Sequence, residues 1–205
     1  MNTTEPIRDK KSVTRLLAYY SNRGEHRNQL LITLGIFSAL RISDILSLTC
    51  KDVYDLKSGK VRKFVHVVEQ KTKKKKTIAM HKESIKTLEA YLHLLKPSEP
   101  REPLFLNKRT GKAISRVQAH RIISAAGVAI GLTFPISSHS LRKTFGYHSW
   151  KEGTSPAVIM DIFNHSSFAV TRRYLGVCQD DRNTAYFALD FTDTTDRAEL
   201  TTISA

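Results

Sequence analysis

Apolar residues recur at helical spacing along most of this chain. Leu16, Leu17 and Tyr20 mark a first short helix, and Leu30, Leu34 and Phe37 mark one face of a second, with Arg41 at its C-terminal end. Ser43 is expected to cap a third short helix carrying Ile45, Leu46 and Leu48. Over residues 61–69 the pattern changes to Val-Arg-Lys-Phe-Val-His-Val-Val-Glu, which is β-branched and of strand length; Thr77-Ile-Ala-Met offers a partner strand. Helical spacing returns at Ile85, Leu88, Tyr91, Leu92 and Leu95 and stops at Pro97. Residues 96–103 form a proline-rich loop, and Arg109-Thr-Gly-Lys reads as a turn. Ser115 is placed to cap a helix through Ile122, Ile123 and Ala126 that ends at Gly131. Ser138 is placed to cap the next, which carries His139 and Arg142 and has Gly153 at its end. Ser155-Pro156 starts a helix bearing Val158, Ile159, Ile162 and Phe163, and a further short helix carries Tyr174. The expectation is a mainly α fold with a small antiparallel β-sheet inserted in it (α+β). With no internal repeat or long linker, residues 1–180 are expected to form one domain, followed by a tail over 181–205.

Charge narrows the class of partner. The 205 residues hold 33 Lys and Arg against 19 Asp and Glu, a surplus of +14, which favours a polyanion, most commonly DNA or RNA. An anionic membrane is the rival, but the chain shows no amphipathic or lipidated anchor and no run of 18 apolar residues. Cys50 and Cys178 cannot make a disulfide framework and form no Cys-x-x-Cys pair, which fits a reduced, cytoplasmic setting. Toward the C-terminus the charge reverses: Asp180, Asp181, Asp190, Asp193, Asp196 and Glu199 oppose only Arg182 and Arg197. That tail is not expected to lie on DNA. Its Tyr186, Phe187, Leu189 and Phe191 suit docking on a neighbouring subunit or on the chain's own body.

Candidate chemistry concentrates between His139 and Tyr174. His139 and Arg142 are three apart, so on a helix they share a face and can address one phosphate; the arginine fork pairs two phosphate oxygens and stays charged. Asn164-His165-Ser-Ser and Arg172-Arg173-Tyr174 follow. A phenol is a poor nucleophile and a phosphodiester resists attack, so a tyrosine among cations answers both difficulties. Taken singly, each residue reads as readily as structural: Arg142 in a surface ion pair, His165 hydrogen-bonded, Tyr174 at the edge of the core. Arg41 follows an apolar helix and is either a buried charge paired with Asp44 or a site residue that Asp44 orients. Lys71, Lys73, Lys74, Lys75 and Lys76 stand on the connection between the two strands, where they attract phosphates or deliver an ammonium to a leaving oxygen. The histidines are too scattered for a zinc site.

In their order, these residues resemble the tyrosine recombinase (phage integrase) family: an arginine after an apolar helix, a lysine on a β-hairpin, His-x-x-Arg, a further histidine, and a tyrosine nine positions later. Here they are Arg41, a hairpin lysine, His139 with Arg142, His165, and Tyr174. Lys71 fits the lysine position best, with Lys73 the alternative. The resemblance covers roughly residues 10–180. The chain departs from the pattern at Lys143, where a second histidine is common, at Asn164, where glycine is common, and at Asp44, where glutamate is common. The resemblance implies a catalytic domain that cuts and rejoins double-stranded DNA through a 3′-phosphotyrosyl link. Arg41, Arg142 and His165 would stabilise the phosphate charge, Lys71 would protonate the 5′-oxygen, and His139 would move the tyrosine proton. Lys73–Lys76, Lys143, Arg172 and Arg173 would bind DNA. No metal or nucleotide cofactor is implied; a homotetramer on DNA is, with accessory DNA-bending proteins as possible further partners. Longer family members carry an N-terminal DNA-clamping domain for which this chain has no room, so it is similar to the short invertase-type members, and its Met1 start suggests a complete small protein. The alternatives are a type IB topoisomerase-like enzyme, a catalytically silent DNA-binding regulator of the same fold, and a basic RNA-binding module, which should show stacking aromatics on a sheet.

Overall fold

Helices dominate the chain, in the order the periodicity predicts. The structure, a computed structural model, describes residues 4–97 and 99–189. It begins with α1 (Lys10–Ser21), α2 (His26–Phe37), α3 (Ile42–Leu46) and α4 (Cys50–Val53), followed by β1 (Tyr54–Asp55), β2 (Lys60–Val61), β3 (Phe64–Val68) and β4 (Lys75–Ala79). After α5 (Lys82–Leu95) come β5 (Leu106–Asn107) and β6 (Lys112–Ala113), then α6 (Arg116–Ala129), α7 (Ser138–Lys151), α8 (Pro156–Phe163), α9 (Phe168–Leu175) and α10 (Gln179–Phe187).

Leu30 through Ile36 are all buried, so α2 is apolar on every side and has to be covered all round. Helices α1, α5, α6 and α7 supply that cover. A smaller apolar cluster of Ala39, Ile159, Phe163 and Leu175 joins α8 and α9 to the end of α2. Close approaches fix these helices. A Cβ on Gly35 would lie 2.6 Å from Leu141 Cδ1, so α2 and α7 touch; a Cβ on Gly146 would lie 2.8 Å from two Phe163 ring carbons, so α7 rides against α8. Among the described residues no helix is long and apolar enough to cross a membrane.

The α+β expectation stands, with three local corrections. Three two-stranded antiparallel sheets replace the single small one. The 61–69 stretch is broken, because Val61 pairs back to Tyr54 and the Arg62 amide donates to Val53 O; the strand proper starts at Phe64. The turn at Arg109 closes a hairpin, β5–β6. Ser43 lies inside α3 and does not cap it, since Arg41 takes the N-cap position with extended backbone. The cap of α7 is Ser137, which forms a reciprocal capping box with Ser140, one residue before Ser138. Ser155 with Pro156, and Ser115, do start α8 and α6.

β3 and β4 pair from Phe64↔Ala79 to Val68↔Lys75. Val65, Val67 and Ile78 face inward, which presses the hairpin onto the body and points its 69–74 turn toward the end of α8. The structural test of this packing is Gly146→Ala. The added methyl meets the Phe163 ring, and overpacking of this kind costs about 1–3 kcal/mol, against a helix-propensity gain of up to about 1 kcal/mol. A lowered thermal midpoint is expected; an unchanged one would show that α7 and α8 are not held at this separation.

Candidate active site

The first arginine is placed by a tight turn at the end of α2. Ser38 Oγ donates to Leu34 O and accepts from the Leu40 amide, and Ala39, fully buried, takes a left-handed φ of 55°. That turn aims the Ala39 carbonyl at Arg142, whose Nη1 donates to it. Arg142 is 2% exposed, and its Nη2 donates to Phe163 O at 2.6 Å. The guanidinium also lies over the Phe163 ring, 4.5 Å from its centre. Arg41 Nη2 donates more weakly to the same Phe163 O, at 3.4 Å. Two guanidinium groups therefore converge on the last carbonyl of α8, where the helix dipole is negative. Burial, followed by Arg41, pushes Arg142 down to about 10, so it remains charged at neutral pH.

The tyrosine and both histidines close around this pair. Tyr174 on α9 is half-buried, and its hydroxyl is 3.3 Å from His139 Nδ1. The His165 ring meets Tyr174 edge-on, with centres 4.6 Å apart, and Phe163 lies against both rings. His165 Nδ1 is 3.0 Å from Thr171 Oγ1. Burial, then Arg142 and Arg41, lowers His165 to about 4. His139 is also lowered, by burial of its ring and then by Arg142, Lys143 and Arg41. Both imidazoles are thereby held neutral at pH 7. Arg172 and Arg173 are exposed beside Tyr174. Lys143 donates to Thr4 O and lies 5.4 Å from the Tyr174 ring centre.

One expectation needs correction. Asp44 does not orient Arg41: it is fully buried and its Oδ1 accepts from the Gln70 amide at 2.9 Å and from Ser43 at 3.4 Å, which ties α3 to the lysine turn. The partner of Arg41 is Glu69, with Nη1 and Oε1 2.8 Å apart. In the DNA-free structure Lys71 is exposed on the turn, as are Lys73 and Lys75. Lys74 reaches Asn164 Oδ1 at 3.1 Å. Lys76 is the lysine that turns inward, where its Nζ donates to Ile162 O. Burial, then Arg142, with Arg41 adding and Glu69 opposing, lowers Lys76 to about 8. Among the described residues no group of His, Cys, Asp and Glu is arranged to hold a metal ion.

Comparison with known proteins gives the family. Residues 8–180 match the phage integrase family. The chain belongs to the phage integrase family. The members it matches are tyrosine-type site-specific recombinases and integrases. The probable integrase/recombinase YoeC of Bacillus subtilis is 41% identical over 186 residues, covering 91% of this chain and 97% of YoeC. The tyrosine recombinase XerC of Thermodesulfovibrio yellowstonii is 31% identical over 158 residues, 74% of this chain and 50% of that protein. The chain thus spans about half the length of the XerC relatives it matches. Among solved structures the XerA recombinase superposes with a TM-score of 0.75 at 23% identity, covering 90% of this chain and 65% of that one. A lambda integrase (residues 75–356) dimer bound to a core site superposes with a TM-score of 0.64 at 18% identity, covering 95% and 65%. These likenesses establish the tyrosine recombinase catalytic-domain fold.

In this integrase-family chain the sequence reading passed over Glu69 as well as Thr171. The signal for Glu69 was present: Val65, Val67 and Glu69 have the same parity, so a strand that buries the first two buries the carboxylate as well. Its ordinary pKa is raised by burial but lowered further by Thr72, Asn164 and Arg41, for a net decrease.

The neutral state of His165 predicts a pH dependence of stability. The unfolded chain takes up a proton at this histidine near its ordinary 6.5, whereas the folded site resists until about 4. Between these values the unfolded state holds more protons, so acidification favours unfolding. The urea midpoint should fall more from pH 7 to pH 5 in the parent than in His165→Gln. Equal falls would show that the site does not hold this ring neutral.

Proposed function

We propose that this protein cuts and rejoins double-stranded DNA through a covalent 3′-phosphotyrosyl intermediate, using Tyr174 as nucleophile. The observation that carries the reading is the Tyr174 hydroxyl at 3.3 Å from a neutral His139 nitrogen, on a Phe163 hub shared with Arg142 and His165. His139 accepts the phenolic proton as the oxygen attacks phosphorus. Arg41 and Arg142 exchange the Phe163 carbonyl for the non-bridging phosphate oxygens and stabilise the charge that builds there. With Thr171 donating to Nδ1, His165 carries its own proton on Nε2 and offers it to the same oxygens. The bond from phosphorus to the 5′-oxygen breaks, and a hairpin lysine gives that oxygen a proton. A 5′-hydroxyl, on returning, attacks the phosphotyrosyl ester, so bond energy is conserved without a nucleotide cofactor. DNA partnership draws on the +14 surplus, with Lys73, Lys74, Lys75, Arg172 and Arg173 exposed around the site.

The identity of the proton donor has two readings. Resemblance points to Lys71. Position and lowered pKa favour Lys76, which already lies among the cations.

Assembly into a tetramer on DNA follows from the need for four strand cuts at two duplexes. Helix α10 suits a docking role: it buries none of its own residues, is tied to α7 by the Lys151–Asp181 ion pair, and leaves Tyr186 and Phe187, with Leu189 beyond it, exposed. Phe191 and the acidic residues from Asp190 onward lie outside the described residues.

A suicide duplex nicked beside the scissile phosphate tests the reading. The parent should form a covalent protein–DNA adduct and Tyr174→Phe none, while Arg142→Lys should slow adduct formation by about 10²–10³-fold. An equal adduct from Tyr174→Phe would remove Tyr174 from its role. Relaxation of supercoils without two-site products would favour the topoisomerase-like alternative. Replacing the 5′-bridging oxygen by sulfur makes a proton donor unnecessary, so of Lys71→Ala and Lys76→Ala the variant this substrate rescues has lost the acid.

A further inference from the structure

Three parts of the site meet at one carboxylate. Glu69 closes β3 with 1% of its surface exposed. Its Oε1 lies 2.8 Å from Arg41 Nη1. Its Oε2 accepts from Thr72 Oγ1 at 2.5 Å, inside the lysine turn, and from Asn164 Nδ2 at 2.7 Å. Asn164 caps α8 in the left-handed conformation, φ 51°, directly before His165, and also takes Lys74 on its Oδ1. Asn164 Nδ2 also lies 3.2 Å from Thr72 Oγ1, so the turn and the helix end are linked directly as well.

We propose that Glu69 is a positioning residue for the strand-cutting reaction, whose buried carboxylate sets the orientation of Arg41 and clamps the lysine turn to the Asn164–His165 end of α8. This rests on the recombinase reading above. A buried carboxylate is costly unless its charge is matched, and here Arg41 faces Oε1 as an ion pair while Thr72 and Asn164 donate hydrogen bonds to Oε2. Arg41 has no other anion among its contacts, and its bond to Phe163 O is long. Without Glu69 only the long bond to Phe163 O would hold that guanidinium, against repulsion from Arg142 beside it. Asp44, the buried acid nearer in sequence, is committed to the Gln70 amide and does not substitute.

Two variants separate the arms of the clamp. Glu69→Gln keeps an acceptor for Thr72 or Asn164 and loses the ion pair with Arg41. Thr72→Val keeps the ion pair and loses the turn. In single-turnover cleavage of the suicide duplex, Glu69→Gln should be slowed by about 10–100-fold, as expected for a misplaced catalytic group. Its DNA affinity should be equal or tighter, since an anion has been removed. On a duplex whose scissile phosphate carries a neutral methylphosphonate, the role of Arg41 shrinks and the Glu69→Gln defect should shrink with it. The 5′-bridging sulfur should not rescue Glu69→Gln but should rescue Thr72→Val. The Glu69→Gln and Arg41→Lys defects should combine to less than their product. A Glu69→Gln rate equal to the parent, or a defect that persists on the methylphosphonate and multiplies with Arg41→Lys, would overturn the proposal. Limited trypsin digestion reads the clamp without any activity: Glu69→Ala should be cut faster than the parent at Lys71–Lys75, and an equal rate of cutting at the turn would also overturn it. A parent that forms no adduct would sink the recombinase reading, while the digestion would still decide whether Glu69 holds the turn.

Discussion

The structure depends on gathering like charges at one helix end. Arg41, Arg142 and Lys76 point their cationic ends at two successive carbonyls, Ile162 O and Phe163 O. Two unit charges about 4 Å apart repel by about 4 kcal/mol at the effective dielectric of a protein surface, and Arg142 is almost wholly removed from water. Such a cluster persists in the folded state only if something anionic holds it. The C-terminus of α8 provides about half a negative charge, and Glu69 provides a whole one. In the reaction proposed above, the α8 carbonyls hold the place that the phosphate oxygens would take. Cations gathered before the ester arrives are the condition for preorganised stabilisation of a developing charge.

Much of the remaining architecture serves to hold the end of α8 still. Ser155 and Pro156 start the helix, and Asn164 stops it in a left-handed cap after Phe163. Phe163 is clamped from one side by α7, where only a glycine fits at 146, and packs with Ala39 at the end of α2. Its ring then touches Arg142, His165 and Tyr174. One buried aromatic side chain thus sets the relative positions of a guanidinium, an imidazole and a phenol that come from two helices and a loop. A change in Phe163 packing would be felt at all three groups.

The order of the polar landmarks was readable in the sequence because each stands at a helix end or on one helical face, where local signals are strong. Arg41 follows the apolar run of α2, His139 and Arg142 share a turn of α7, and Ser155-Pro156 announces α8. The partners of these residues were harder to read, because they are set by pairing between segments distant in sequence. Asp44 looked like the partner of Arg41 from proximity along the chain, yet the acid that reaches it comes from the end of a strand 28 residues away. The lysine run shows the same limit. Five lysines in six positions are alike in composition, but the register pairs Lys76 with Val67, so Lys76 shares the inward face of β4 with Ile78 while Lys75 and Thr77 look out. Register in turn depends on where the turn falls, and the turn has a left-handed lysine at 73 where a glycine would have announced it. Strand parity counted back from Ile78 would have selected Lys76; composition alone did not.

The same burial that crowds the cations also sorts them by chemistry. In one environment Arg142 is lowered to about 10, Lys76 to about 8 and His165 to about 4. In the DNA-free site at neutral pH these shifts leave the guanidinium charged, the imidazole neutral, and the ammonium nearest to the balance between gaining and losing its proton. Those are three different roles: a fixed counter-charge, a neutral hydrogen-bond donor, and a group able to exchange a proton. A phosphodiester entering the cluster brings one negative charge, which favours the protonated form of every neighbour and raises all three values. Lys76 would then be fully charged while the ester is bound. An arginine at 76 would supply the same attraction but never release a proton, and a lysine at 142 would be driven toward neutrality by the burial that Arg142 withstands. Residue type at each position is therefore constrained by how far each group's pKa may fall before it stops performing its part.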